Sequence, residues 1–385
     1  MSMNFGNTSY RLLRYEKAKA KLNEFYVSDE SRKSNKLGQT SSTELLYSTV
    51  RVLSEFAELY CSGVECGELY NDLTFVANFY ENFVVGETAE EDCFLLLVGA
   101  IANILSDNFG NAKSLIDRIN RDKIDNDIAC LLFEYVASGL GKTYETLYMS
   151  EYLRDEYFYN LIDEINNDSE STYFKKLQGF AKDLLLNGDS ESAFCGLMLC
   201  AVHKKYLENS AARIIPVASG SLLKDWESYF SQQNAMRILW QAQRLLVEHE
   251  VLKGKSATIQ LPTGVGKTKS IELIISAAFL LRNVNLAIVV APLRALCNEI
   301  EKDLKKSLKH IVEITVLSDV LDDEQINFEN RQVIVVTPEK LSFLMRHNSD
   351  LISGFVTRNK CYENNRKVLK FLHRKGFPRK SWNAS

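Results

Sequence analysis

The residues of this 385-residue chain best suited to chemistry lie in one run, Gln260-Leu261-Pro262-Thr263-Gly264-Val265-Gly266-Lys267-Thr268. Glycines at this spacing let the backbone turn tightly, so that successive N–H groups converge on an anion. A helix beginning where they end adds its positive pole. A lysine after the last glycine reaches the outer phosphates of a nucleoside triphosphate, and a hydroxyl next to it can ligate Mg2+. Lys267 and Thr268 are therefore the candidate catalytic residues, with Thr268 also holding Mg2+ through the nucleotide. Pro262, Thr263, Gly264, Val265 and Gly266 complete the candidate phosphate cradle. The general pattern has glycine six residues before the lysine. Leu261 stands there instead, which fits the shorter Pro-Thr-Gly-x-Gly-Lys-Thr form.

Other chemistry-bearing residues are weaker candidates. Cys195, Cys200 and His203 share one apolar helical stretch, and cysteines at i,i+5 there read as buried thiols rather than metal ligands. Tyr152, Tyr157, Phe158 and Tyr159 read as helical packing surface rather than base-stacking platforms. Lys302, Lys305, Lys306 and Lys309 read as one solvated helix face.

A phosphate loop needs a buried strand before it and a helix after it. Residues 256–261 supply the expected strand, and Lys269–Leu281 the helix. Strands are expected at Leu286–Val290, Val312–Leu317 and Gln332–Val336, with helices at Arg294–Leu308 and Glu339–Met345. Buried strands alternating with helices predict a parallel sheet with helical crossovers. An amphipathic helix, Met236–Glu250, precedes them.

Upstream, from about Arg11 to Ser219, apolar residues recur at three- and four-residue spacing. Helices are expected at Thr43–Tyr60, Glu91–Leu105, Ala112–Ile119 and Phe174–Leu186, with a hairpin turn at Gly110-Asn111-Ala112. No fixed repeat period emerges, so an irregular bundle is expected rather than a repeat array. The predicted fold is α + α/β: an all-helical domain over 1–225, an incomplete P-loop parallel sheet over 226–352, and a basic tail over 353–385.

Charge follows the same partition. Residues 1–230 carry 22 basic and 35 acidic side chains, a net of −13, whereas 231–352 carry +1 and 353–385 carry +8. An acidic helical domain fits a protein partner better than a nucleic-acid clamp. Eight cysteines without a CxxC pair, and an N-terminus without an apolar leader, predict a reducing, cytoplasmic, non-membrane protein.

Pro262–Thr268 resembles motif I of superfamily 2 helicases. Ala291-Pro292-Leu293-Arg294-Ala295-Leu296 resembles motif Ia, and Val336-Thr337-Pro338-Glu339-Lys340-Leu341 resembles motif Ib. The wording is most similar to the Ski2-like branch of these DEAD/DEAH-box type enzymes, which includes bacterial phage-defence helicases. Gln243, 24 residues before Lys267, resembles the family's adenine-reading glutamine, and is preferred to Gln241. The resemblance covers about residues 236–352. It implies a RecA-like sheet, ATP and Mg2+ as cofactors, and movement along single-stranded DNA or RNA driven by ATP hydrolysis. It also implies phosphate-backbone contacts from Arg294 and Thr337. Plainer roles for these two are a solvated helix start and a helix N-cap ahead of Pro338.

Hydrolysis in such a domain needs an acidic Asp-Glu pair ending the next buried strand, and residues 341–385 contain none. Asp322-Asp323-Glu324 precedes motif Ib and reads as a polar loop. Val368–Leu372 reads as a short helix. The tail reads as out-of-frame translation from a truncated helicase, with a basic arm contacting nucleic acid as the second reading. The expected function is the ATP-binding portion of a helicase, inactive alone. The alternative is a non-catalytic protein-binding helical module fused to a relic or nucleotide-sensing P-loop domain.

Overall fold

Breaks rich in Asp, Asn and Gly set where helices start, because short side-chain acceptors satisfy the free N–H groups of a first turn. Asp92 accepts from the Phe94 and Leu95 N–H groups at 2.9 and 3.2 Å. Asp189 does the same for Glu191 and Ser192, both at 2.9 Å. The computed structural model describes residues 42–67, 69–86, 92–139, 172–232, 235–255, 257–259, 266–281, 284, 286–308, 311–316, 331–347 and 368–372. Readings that fell on residues 11–41, on the aromatic cluster at 152–159 or on Asp322–Gln325 lie outside them.

The chain forms two compact units, Met1–Ser210 and Ala211–Ser385. The first contains α1 (Ser42–Cys61), α2 (Leu69–Gly86), α3 (Cys93–Leu105), α4 (Phe109–Ile116), α5 (Asp127–Gly139), α6 (Thr172–Asn187) and α7 (Ser190–Glu208). Among the described residues helix lengths run from 8 residues in α4 to 20 in α1, which shows no fixed period. Helices α3 and α7 are central, each packing on several others. The α3–α4 turn falls at Ser106-Asp107-Asn108 rather than at Gly110-Asn111-Ala112. Asp107 takes the left-handed conformation at φ 67° that closes α3, which leaves Gly110 inside α4. Cys195, Cys200 and His203 are fully buried on α7, and burial raises both thiols. Among the described residues no three His, Cys, Asp or Glu side chains converge on a cation site.

Helix α1 ends in a Schellman turn. Val64 N–H donates to Leu59 C=O and Gly63 N–H to Tyr60 C=O, with Gly63 at φ +75°. No atom lies within 4 Å of a Cβ placed at Gly63, so substitution there meets backbone strain alone. Gly63→Ala is expected to lower unfolding free energy by about 1 kcal/mol, read as a shifted urea midpoint at unchanged slope. An unshifted midpoint would refute the assignment.

The second unit carries α8 (Ala211–Ser219), a one-turn α9 (Glu227–Phe230), α10 (Gln241–Glu248), α11 (Lys267–Leu281), α12 (Arg294–Leu308) and α13 (Pro338–His347). Four strands, β1 (Leu286–Val290), β2 (Glu313–Val316), β3 (Gln332–Val336) and β4 (Val368–Leu372), form a parallel sheet in the order β2-β3-β1-β4. Every residue of β1 and β3 is buried, as a sheet covered on both faces requires. Ala287, Val289, Val333 and Val335 pack on α11 and α12 through Ile275, Phe279, Cys297 and Ile300. Leu286, Ile288, Val290, Ile334 and Val336 face Leu341 of α13. The architecture is α + α/β, with an incomplete RecA-like sheet.

Four local readings are corrected. Val368–Leu372 is a strand, not a helix, because pairing in register with Leu286–Val290 of β1 satisfies its backbone. Residues 257–259 are exposed and outside any strand; both sides of β1 are taken by β3 and β4. The helix expected from Met236 starts only at Gln241, because Met236 and Leu239 enter a core beside α11 in non-helical backbone. That core also holds Ala211, Ile215 and Trp226, so residues 211–225 pack with the second unit. No described helix is long and apolar enough to cross a membrane.

Candidate functional site

The head of α11 brings together the described part of the phosphate-loop run. Gly266 precedes the helix at φ +82°, a conformation that favours glycine. Its carbonyl accepts the first intrahelical bond, from Ser270 N–H at 3.0 Å. The first helical N–H groups after Gly266, those of Lys267 and Thr268 among them, mark the helix's positive end. Lys267 and Thr268 occupy the first two helical positions, half-buried. Pro262, Thr263, Gly264 and Val265 lie outside the described residues.

Gln243 holds this junction from α10. Its Nε2 donates to the Gly266 carbonyl at 3.1 Å and to Ser270 Oγ at 3.2 Å, while its Oε1 accepts from Trp240 N–H at 3.0 Å. Ser270 Oγ also donates to the Gly266 carbonyl at 3.1 Å. Gln243 is buried, and both amide hydrogens are engaged within the protein. A Cβ added at Gly266 would meet Gln243 Nε2 at 2.9 Å and the Trp240 ring at 3.6 Å. The exposed carboxamide at the start of α10 belongs to Gln241.

One turn further along α11, Glu272 is buried. Its carboxylate accepts from Lys269 Nζ at 2.8 Å and from Tyr229 Oη at 3.2 Å. Tyr229 Oη also accepts from Met236 N–H at 3.4 Å. Burial, reinforced by the Glu272 charge, holds the Tyr229 hydroxyl well above its ordinary value, so it remains a donor. Neither Tyr229 nor Glu272 carries a motif signature. Ser270 had a weak one, lying four residues after Gly266 as a hydroxyl that can bond back to that carbonyl.

The other two candidates stand at the carboxyl edge of the sheet. Arg294 is exposed at the first position of α12, beyond β1, and Thr337 is half-buried directly ahead of α13, beyond β3. The two loops are joined, since Ala291 N–H donates to the Val336 carbonyl at 3.0 Å. Lys302, Lys305 and Lys306 are exposed on α12, and Lys305 pairs with Glu301 at 2.7 Å, as a solvated face should. Lys309 lies outside the described residues.

Residues 241–359 match the DEAD/DEAH box helicase family. Hachiman protein HamB of Bacillus cereus is 36% identical over 118 residues, 29% of this chain and 10% of that protein. ATP-dependent DNA helicase Hel308 of Pyrococcus horikoshii is 31% identical over 102 residues, 26% of this chain and 14% of that protein. The similarity thus spans about a tenth to a seventh of these relatives. The second unit carries a region similar to the domain of DEAD/DEAH box helicases.

Proposed function

We propose, with that helicase-type domain over residues 241–359 as premise, that the chain is the ATP-binding portion of a nucleic-acid helicase. The whole motor would couple ATP hydrolysis to movement on single-stranded DNA or RNA. The observation that carries this reading is the left-handed Gly266, pinned by Gln243 at the head of α11, with Lys267 and Thr268 immediately after it. The backbone N–H groups of that first turn would bind the triphosphate, and the Lys267 ammonium would reach its outer oxygens. Bound Mg2+ would neutralise phosphate charge, held by Thr268 and the nucleotide's own oxygens. Gln241, exposed where Gln243 is not, is the better placed of the two to meet the base. Arg294 and Thr337 would donate to phosphodiester oxygens, which fixes register without reading sequence.

Water attack on the triphosphate requires acidic groups to ligate the metal and orient the nucleophile. Among the described residues the strand that follows β3 is β4, and the residues after it are His373-Arg374-Lys375. This supports binding without turnover by the chain alone. The net −13 over residues 1–230 favours one further reading, a helical unit that docks a protein partner beside a nucleotide-sensing domain.

The test is a titration of the full chain with a fluorescent ATP analogue, with and without Mg2+. Phosphate release and binding of labelled single-stranded DNA and RNA complete it. Expected are saturable binding displaced by unlabelled ATP, phosphate release no faster than in buffer, and salt-sensitive, sequence-indifferent binding of the strand. Absence of saturable ATP binding would overturn the proposal. ATP binding without strand binding at low salt would favour the sensor.

A further inference from the structure

Two pins tie the head of α11 to the segment upstream of it. Gln243 fastens the first turn, through Gly266 and Ser270. Tyr229 fastens the second, through Glu272. The non-helical stretch 236–240 is held at both ends, since Met236 N–H donates to Tyr229 and Trp240 N–H to Gln243. Tyr229 and Gln243 therefore bracket the part of α11 that carries Lys267 and Thr268, gripping it at Gly266, Ser270 and Glu272.

Burying Glu272 needs an account. A carboxylate only 3% exposed is costly unless its partners are close, and a buried ion pair adds little net stability even when they are. What such a pair does fix is direction. Lys269, two residues from Lys267, is drawn along the helix towards Glu272 at 2.8 Å, and so away from the helix's N-terminal end. Tyr229 holds the other carboxylate oxygen from a different element, so the helix can neither rotate nor slide without breaking that bond.

We infer that Glu272 is a positioning residue for nucleotide binding: with Tyr229 it forms the second pin of the bracket that aims Lys267 and Thr268 at the triphosphate. The inference rests on the head of α11 being the ATP site.

The sign of one substitution separates positioning from plain charge. Glu272→Gln removes a negative charge close to a site for a polyanion. Electrostatics alone would tighten ATP binding. A positioning role predicts the reverse, weakening by about tenfold, the worth of one hydrogen bond to a charged group. Tyr229→Phe deletes one hydroxyl and no charge, and should weaken binding in the same direction. The double variant should be no worse than Glu272→Gln alone, because both changes draw the same pin.

The full-length chain and these variants would be titrated with the fluorescent ATP analogue, each well below its thermal midpoint, with Lys267→Ala as reference. Weakening by both single changes with a non-additive double supports the inference. Tighter or unchanged binding in Glu272→Gln and Tyr229→Phe, with Lys267→Ala still abolishing it, overturns the inference and leaves the ATP site standing. If the unaltered chain fails to bind, the site itself is wrong and the inference falls with it. Should Glu272→Gln fail to fold, Tyr229→Phe alone decides.

Discussion

A chain carrying Gly266→Val is expected to bind ATP about a hundredfold more weakly than the parent, an effect of roughly 3 kcal/mol. Two independent strains produce it. At φ +82° a β-branched side chain is an outlier that the backbone escapes only by turning the Lys267 N–H away. The new Cβ would also stand 2.9 Å from Gln243 Nε2, which pushes that side chain off the Gly266 carbonyl and off Ser270. The remainder of α11 is anchored by Leu273, Ile274 and Ile275 in its own cores, so circular dichroism should stay near that of the parent. Full affinity in a folded Gly266→Val chain would show that this junction does not shape the nucleotide site.

The second large effect is a dependence of stability on pH. His203 is fully buried on α7, with Nδ1 2.8 Å from the Tyr135 hydroxyl, Phe174 stacked on its ring and no hydrogen-bond partner for Nε2. Burial lowers its pKa to about 4, against about 6.5 in the unfolded chain. Between these values the unfolded chain holds the extra proton, so stability rises with pH across the window and is complete above about 6.5. The full span is worth about 3 kcal/mol, of which about 2 kcal/mol is gone by pH 5. Urea unfolding of the full chain at pH 7 and pH 5 should show the loss. A His203→Gln chain, less stable at pH 7, should lose correspondingly less on acidification. Equal losses in the two chains would place the titration elsewhere.

The junction at Gly266 was legible because it is local in sequence. A left-handed glycine followed by a helix start at Lys267 is set by neighbours in sequence. The sheet was legible for a similar reason, since Leu286–Val290 and Gln332–Val336 are continuous apolar runs that can only be buried. The setting of Gln243 was not, because its partners Gly266 and Ser270 are more than twenty residues away. Tyr229 and Glu272 find each other only once α9 and α11 are packed. β4 was misread because Val-Leu-Lys-Phe-Leu sits in a basic stretch and suits a strand or a helix turn equally well. A partner strand decides between them, and β1 begins 82 residues earlier. The α3–α4 turn moved because Asp107 accepted a left-handed conformation for which Gly110 had seemed the natural choice.

The strand order has a consequence for the order of synthesis. β1 can pair with β3 as soon as residue 336 has left the ribosome, but its other side waits for residues 368–372. Throughout that interval five consecutive apolar residues, Leu286 to Val290, present a row of unpaired N–H and C=O groups to whatever strand comes by. Such an edge is a template for the same segment of another nascent chain. The most distal described element thus serves as a seal, and crowding on the polysome, rather than anything at the nucleotide, is where its late arrival is felt.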